Sequence, residues 1–373
     1  MNQILLHTPE GVRDIYGKEY ARKLFVEESL RSKLVSYGYE DIQTPTFEFF
    51  DVFSKEIGTT ASKDLYKFFD KEGNTLVLRP DFTPSIARCA AKYFCEESVP
   101  VRCCYMGNTF INTSNLQGKL KEVTQTGGEL IGDGSVEADA EMVNLVIECL
   151  LNTGLEHFQV SIGQVEYFKG ICEEAGLDEE TELHLREYIS AKNYYAAENL
   201  LQEVGVSDEY CNLLLNTTNL FGSIDVVKKA GKNIRNARAI NAITRLERLF
   251  EVLKLYGNEK YISFDLGMLS KYRYYTGIIF KAYTYGIGDA IAKGGRYDSL
   301  LSHFGKETPA VGFVAVVDDI LEALSRQKVQ VPLPEGKQIL IYTDEDYAEV
   351  LKEAQALRSG GRAVEMRRKE PQA

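Results

Sequence analysis

The chain has 373 residues, of which 44% are hydrophobic and 26% are charged, and its formal net charge is −12. This length and composition suit a globular protein with one large domain and one small one. The negative charge weighs against bulk electrostatic attraction to RNA or to an anionic membrane, so we expect neither a nucleic acid nor a membrane as a partner.

The cysteines and histidines show no pattern of a metal site. None of the seven cysteines forms a C-x-x-C pair, and the four histidines have no ligand spacing. The first six residues are too short an apolar segment for a signal sequence, and no run approaches the roughly 20 apolar residues that span a bilayer. We therefore expect reduced thiols, no metal, no cofactor and a cytoplasmic location.

The N-terminal part predicts a helix followed by an interrupted strand. Apolar residues recur at helical spacing from 18 to 37, and Gly38 provides a stop. Residues 41–48 have a strand pattern that Pro45 breaks. A helix packed on an edge strand is the plain interpretation.

A hairpin is predicted at residues 65–69 and 75–79, and its second strand enters the segment Leu-Arg-Pro-Asp-Phe-Thr-Pro. This segment places the carboxylate of Asp81 and the hydroxyl of Thr83 at a strand end, where both suit an ammonium group. Capping of the helix predicted at 85–94 is the alternative role for these two side chains.

Two further strands are predicted at 99–109 and 120–131, with an irregular polar loop between them. The second contains Gln125 and Glu129, which are four residues apart and therefore face the same side of a strand. The glycines between them leave room for a small polar ligand. An exposed face of a half-buried strand is the commoner origin of such a pattern.

An amphipathic helix is predicted at 138–152, and a mostly helical segment extends from about 165 to 256 without a glycine-rich phosphate loop. Strands are then predicted at 260–268, 277–283 and 310–317. The last strand passes directly into a helix.

Two paired glycines, Gly294 and Gly295, precede Arg296 and Asp298. The glycines predict a close approach to the backbone, with opposite charges beside it.

The C-terminal part begins with a linker that contains Pro332 and Pro334. A strand at 338–343, a helix at 345–358 and a strand at 362–366 then predict one βαβ unit.

Three blocks carry a resemblance to a known family: Tyr-Tyr-Thr-Gly from Tyr274, Lys-Gly-Gly-Arg-Tyr-Asp from Lys293, and Pro-Ala-Val-Gly-Phe from Pro309. Their order, with the strands and the helix between them, resembles the end of a class II histidyl-tRNA synthetase catalytic domain, and the resemblance extends over residues 8–325. It implies an α+β fold with an antiparallel sheet flanked by helices. The implied domains are 1–330, with a helical insertion at about 165–256, and a truncated anticodon-domain-like segment at 331–373.

The resemblance also implies a histidine site. The positions that match the family's histidine-binding residues are Asp81, Thr83, Gln125, Glu129, Tyr274 and Tyr275. For the two tyrosines, aromatic core packing is the alternative role. The family's N-terminal helix, strand and proline form a dimerisation element, so the match implies a homodimer.

The chain departs from the family where the synthetase uses arginines. These positions carry Ile111, Ser270 and Asp319, and the aspartate reverses the charge. An aliphatic side chain cannot neutralise a phosphate. Because removal of one such donor costs roughly 10² to 10³ in rate, we expect no synthetase activity.

A kept amino-acid site beside a lost nucleotide site is similar to the family of ATP phosphoribosyltransferase regulatory subunits, which are paralogues of the synthetase. This resemblance implies a non-catalytic subunit. It would join a short-form catalytic subunit as a homodimer within a hetero-oligomer, and it would serve feedback inhibition by L-histidine in the first step of histidine biosynthesis. A divergent histidyl-tRNA synthetase and an interaction module with a dead pocket are the competing hypotheses.

Overall fold

The computed structural model of the chain describes residues 6–53, 60–94, 100–113, 120–269, 274–334 and 336–369. The strands of these ranges are, in chain order, β1 (Glu40–Asp41), β2 (Phe47–Phe49), β3 (Lys67–Phe69), β4 (Thr75–Leu78), β5 (Val101–Phe110), β6 (Glu122–Ile131), β7 (Phe158–Gln164), β8 (Phe221–Gly222), β9 (Ile262–Asp265), β10 (Ile278–Thr284), β11 (Ala292–Arg296), β12 (Ala310–Val316), β13 (Gln338–Tyr342) and β14 (Val364–Arg368).

The α-helices of the same ranges are α1 (Gly17–Ser36), α2 (Thr83–Tyr93), α3 (Val136–Asn152), α4 (Val165–Glu174), α5 (Glu179–Ser190), α6 (Tyr194–Glu203), α7 (Asp208–Asn216), α8 (Ile224–Ala230), α9 (Ala237–Leu255), α10 (Val317–Arg326) and α11 (Tyr347–Ser359). The predicted helix at 138–152 is α3, and its N-terminus is capped by Ser135, whose hydroxyl accepts a hydrogen bond from the Ala138 N–H.

A nine-stranded sheet carries the fold, with the strand order β1-β5-β6-β12-β11-β10-β7-β9-β8. Its central pairs are antiparallel, as predicted, whereas β1 with β5 and β7 with β9 are parallel. The interrupted strand at 41–48 is divided between two sheets, because β1 joins the large sheet and β2 joins the small sheet β2-β4-β3. Pro45 lies between them and has no N–H with which to continue a ladder.

The two faces of the large sheet have different partners. One face packs on α1 and α3, where Leu34 and Leu130 belong to one continuous hydrophobic cluster. The other face packs on α2, where Ile86 and Tyr105 belong to a second cluster. Side chains alternate across a strand, so consecutive residues of β5 and β6 serve the core and the α2 face in turn.

The Arg296 side chain makes its contacts on the face of the sheet opposite to Glu129. It is buried on the face that packs on α3, where its guanidinium forms ion pairs with Asp139 at 2.7 Å and with Asp298 at 3.1 Å. Asp139 also pairs with Arg245 at 2.6 Å. The arginine after the paired glycines therefore connects β11 to α3 and, through Asp139, to Arg245 on α9.

The helices α4 to α9 follow β7, and the short strand β8 returns from among them to pair with β9. Their assignment to an insertion stays a prediction. At the C-terminal end, β13 and β14 pair in parallel and α11 packs on both strands. None of the described residues from 336 to 369 belongs to the hydrophobic clusters of the large sheet.

Candidate functional site

Glu129 is the centre of the candidate site, on the α2 face of β6. Its side chain is 1% exposed and accepts hydrogen bonds from the hydroxyls of Thr83 at 3.0 Å, Tyr105 at 3.3 Å and Tyr297 at 2.5 Å. Burial raises the pKa of Glu129 to about 8, and the nearby Asp81 charge adds to this rise, while the hydroxyl donors oppose it. At neutral pH this raised pKa favours the protonated form of the Glu129 carboxyl group.

Asp81 and Thr83 lie together at the start of α2, and their binding of an ammonium group stays a prediction. The Asp81 carboxylate accepts a hydrogen bond from the Thr83 N–H at 2.9 Å, which fixes the turn at the start of α2. The Thr83 hydroxyl is then directed at Glu129. The local turn and the site are thus built by the same two residues.

Gly312 on β12 makes room for the Glu129 side chain. The two residues are direct cross-strand partners. A β-carbon at position 312 would lie 1.5 Å from Glu129 Oε2, which is far inside van der Waals contact. Gly295 pairs with Gly312 on the next strand and leaves space for the Tyr275 ring in the same way. A β-carbon at position 295 would lie 2.6 Å from the nearest atom of that ring.

These residues surround a cavity of about 20 Å³. Its lining includes Asp81, Thr83, Glu129, Tyr274 and Tyr275 from the predicted set, together with Lys293, Gly295, Tyr297 and Gly312. A volume of this size has room for about one water molecule. This volume is smaller than an amino acid, and Tyr274 and Tyr275 form part of the wall around it.

Gln125 shares a sheet face with Glu129, as the i, i+4 spacing predicts, but it does not line the cavity. It lies opposite Gly107 on β5, whereas Glu129 lies opposite Cys103. The Gln125 side chain is 8% exposed. The same face also carries the guanidinium of Arg79, whose Nη2 lies 2.5 Å from where a Gly107 β-carbon would stand.

Several site residues were missed at the sequence level. Tyr297 belongs to the Gly-Gly-Arg-Tyr-Asp block, and Arg79 precedes Pro80 and Asp81, so both lay within segments that had been singled out for other residues. Lys293 opens the same block as Tyr297, whereas Tyr105 had no signal of its own, because only the register of β5 places it beside Glu129.

A second, larger cleft of about 1120 Å³ contains two of the three positions where the synthetase has arginines, Ile111 and Asp319. The third, Ser270, lies outside the described residues. The charged residues that line this cleft are four basic ones, Arg13, Arg22, Lys121 and Lys328, and five acidic ones, Glu19, Asp289, Asp318, Asp319 and Glu322, so their formal charges sum to −1. A polyphosphate would meet no net positive charge from them.

The described residues contain no group of three or more His, Cys, Asp or Glu side chains placed to hold a metal ion. Among the same residues no helix is both long and apolar enough to cross a membrane.

The family model for histidyl-tRNA synthetase matches residues 11–320. Among individual proteins, the ATP phosphoribosyltransferase regulatory subunit of Acetivibrio thermocellus is 42% identical over 361 residues, which cover 97% of this chain and 86% of that protein. The protein of the same name from Ruminiclostridium cellulolyticum is 39% identical over 98% of this chain and 87% of its own length. The chain belongs to the family of ATP phosphoribosyltransferase regulatory subunits.

Solved structures agree with this family. A protein from Bacillus halodurans described as an ATP phosphoribosyltransferase regulatory subunit/histidyl-tRNA synthetase superposes with a TM-score of 0.89 at 32% identity, over 98% of this chain and 93% of that one. Histidyl-tRNA synthetase from Nostoc superposes with a TM-score of 0.81 at 21% identity, over 98% and 86% of the two chains, and supports the fold alone. The predicted family and the predicted α+β fold are confirmed, whereas the histidine-binding residues stay a prediction.

Proposed function

We propose that this regulatory subunit binds L-histidine in the Glu129 cavity and transmits its presence to a short-form ATP phosphoribosyltransferase catalytic subunit. In this proposal the chain forms a homodimer within a cytoplasmic hetero-oligomer and performs no chemistry of its own. The assembly catalyses the first step of histidine biosynthesis, and L-histidine is its feedback inhibitor.

The buried Glu129 carboxyl supports histidine as the ligand. A carboxyl group whose pKa is raised to about 8 can share its proton with an imidazole, whose ordinary pKa is about 6.5. The three hydroxyl groups around it fix its orientation, so one small aromatic ring with a basic nitrogen fits its chemistry. The carboxylate of Asp81, which also lines the cavity, provides a partner for an α-ammonium group.

The larger cleft supports a non-catalytic role. Formation of an aminoacyl adenylate concentrates negative charge on the α-phosphate of ATP, and fixed cations are needed to stabilise it. Ile111 and Asp319 supply none at two of the three positions. A variant that regained adenylate synthesis would need a positively charged side chain at both positions.

The proposal is tested by reconstituting the complex with a short-form catalytic subunit and measuring its size and its transferase activity over a range of histidine concentrations. Glu129→Gln should raise the histidine concentration for half-inhibition about tenfold or more, because the carboxyl group that shares its proton with the imidazole is replaced by an amide. Each variant is normalised to its own uninhibited rate. The matched control is Glu122→Gln on the same strand, which is bonded to Asn108 at 2.6 Å outside the cavity and should leave inhibition unchanged.

Two results would contradict the proposal. Equal inhibition of the Glu129→Gln and Glu122→Gln complexes would remove the cavity from feedback control. Exchange of pyrophosphate into ATP by the chain with histidine would make it a working ligase.

A further inference from the structure

Two lysines lie directly opposite each other on the face of the large sheet that carries Glu129. Lys281 on β10 and Lys293 on β11 are cross-strand partners, and Lys293 lines the Glu129 cavity. Direct partners in a sheet project to the same side, so both side chains lie on the cavity side. Their β-carbons are about 5 Å apart, and like charges at this separation destabilise a sheet. An anion bound between them would remove this repulsion.

The residues that continue this row across the sheet carry no charge. Ser161 on β7 pairs with Lys281 on its other side, and Val314 on β12 pairs with Lys293. The Ser161 hydroxyl forms a hydrogen bond of 2.8 Å with the Ser263 hydroxyl on β9. Neither neighbour in the row therefore offers a carboxylate to the two ammonium groups.

Asp265 at the end of β9 is a carboxylate close enough to Lys281 to be affected by its charge. Burial raises the pKa of Asp265, while a hydrogen bond of 3.0 Å from the Gly267 N–H and the charge of Lys281 oppose this rise. Lys293 forms no ion pair with any described residue. One carboxylate beside two ammonium groups leaves a net formal charge of +1 on the three side chains.

The two lysines can be reached by an anion from solvent, because both are half-buried. In such a position the aliphatic stem of a lysine packs on the protein while its ammonium group stays in contact with water. A ligand that binds the ammonium groups therefore does not need to enter the cavity of about 20 Å³. Neither lysine lines the larger cleft, so this pair is distinct from the mixed charges there.

We propose that Lys281 and Lys293 together bind a phosphate group on the cavity side of the sheet. Two ammonium groups act as point charges and match the charge of about −2 on such a group. A carboxylate carries one charge and suits the planar fork of an arginine, so it fits the pair less well. The phosphate group belongs to inorganic phosphate, to pyrophosphate or to a phosphorylated sugar. This inference does not depend on histidine binding.

Calorimetry on the full chain tests this proposal with inorganic phosphate, pyrophosphate and ribose 5-phosphate as probes. Pyrophosphate should bind the unmodified chain, and binding should weaken as salt is added. Lys281→Met and Lys293→Met should each weaken it about tenfold or more, because each removes one charged hydrogen-bond donor. Methionine keeps most of the apolar stem of the lysine, so packing on the sheet is largely retained.

The matched control is Lys328→Met, which removes a lysine from the lining of the larger cleft and should leave pyrophosphate binding unchanged. Urea unfolding provides a second readout that a merely structural lysine would not give. Without an anion, Lys293→Met should raise the urea midpoint, because it removes the repulsion from Lys281. Pyrophosphate should raise the midpoint of the unmodified chain but not that of the double variant in which both Lys281 and Lys293 are replaced.

Three results would overturn the proposal: no binding of any probe to the unmodified chain, equal binding of pyrophosphate by that chain and the double variant, or a loss of binding in Lys328→Met alone, which would place the anion in the larger cleft. Binding of ribose 5-phosphate as well as the inorganic anions supports a phosphorylated sugar as the ligand, and binding of the inorganic anions alone supports a free anion. Histidine calorimetry on the same preparations separates the two proposals. A chain that binds pyrophosphate but not histidine keeps this site and loses the proposed function, and the reverse result does the opposite.

Discussion

Replacing Gly312 with alanine tests whether this glycine is required by the Glu129 side chain. The added β-carbon would lie 1.5 Å from Glu129 Oε2 and 2.5 Å from its Cδ. The carboxyl group would have to retreat by about 2 Å to reach an ordinary contact distance. This movement breaks its hydrogen bonds with Tyr297 at 2.5 Å and with Thr83 at 3.0 Å. Two lost bonds of about 1 kcal/mol each, with buried partners left unsatisfied, predict a loss of about 3 kcal/mol in the free energy of unfolding.

Urea unfolding measures this loss, and a double-mutant cycle assigns it to Glu129. Glu129→Ala removes the clashing atoms, so Gly312→Ala should cost about 2 kcal/mol less in that background than in the unmodified chain. Gly288→Ala is the control, because an added β-carbon there meets nothing within 4 Å. Additivity of the two substitutions to within about 0.5 kcal/mol would refute the reasoning.

Two other predictions concern pH and the buried ion pairs. Free Glu129 keeps its proton up to about pH 8, and free imidazole gains one below about pH 6.5. A complex that holds one proton between them should therefore bind tightest between these values, with affinity falling about tenfold per pH unit on either side. Calorimetry across pH checks this, and a Glu129→Gln variant that kept the fall above pH 8 would contradict it. Asp139→Ala leaves Arg245 and Arg296 without their shared carboxylate and should lower the free energy of unfolding by about 3–5 kcal/mol. The control is Glu137→Ala, also on α3, which breaks only an exposed ion pair with Arg248 of α9 and should have little effect in the same urea assay. Equal losses of unfolding free energy from both variants would contradict the prediction.

Local patterns in the sequence predicted the elements well because the causes of those elements are local. The apolar spacing of α3, the stop at Gly38 and the hairpin of β3 and β4 all depend on residues near one another in the chain. The i, i+4 spacing also placed Gln125 and Glu129 on one sheet face correctly, since side-chain direction in a strand depends only on parity.

The depth of the site and its wall could not be predicted in this way. The Glu129 hydroxyl donors come from three separate segments, and the position of Tyr297 depends on how β11 pairs with β12. No neighbour in the sequence requires glycine at position 312, because the steric requirement comes from the Glu129 side chain on another strand. The contact of Arg296 with Asp139 could not be predicted for a related cause, because the two residues are 157 positions apart in the chain.

In the proposed function, histidine enters a cavity of about 20 Å³, so binding has to widen the space beside Glu129. If the widened form made up about 1% of the ligand-free population, the apparent affinity would fall about 100-fold below the intrinsic value. The free energy of widening would then be the quantity through which a partner subunit senses the ligand.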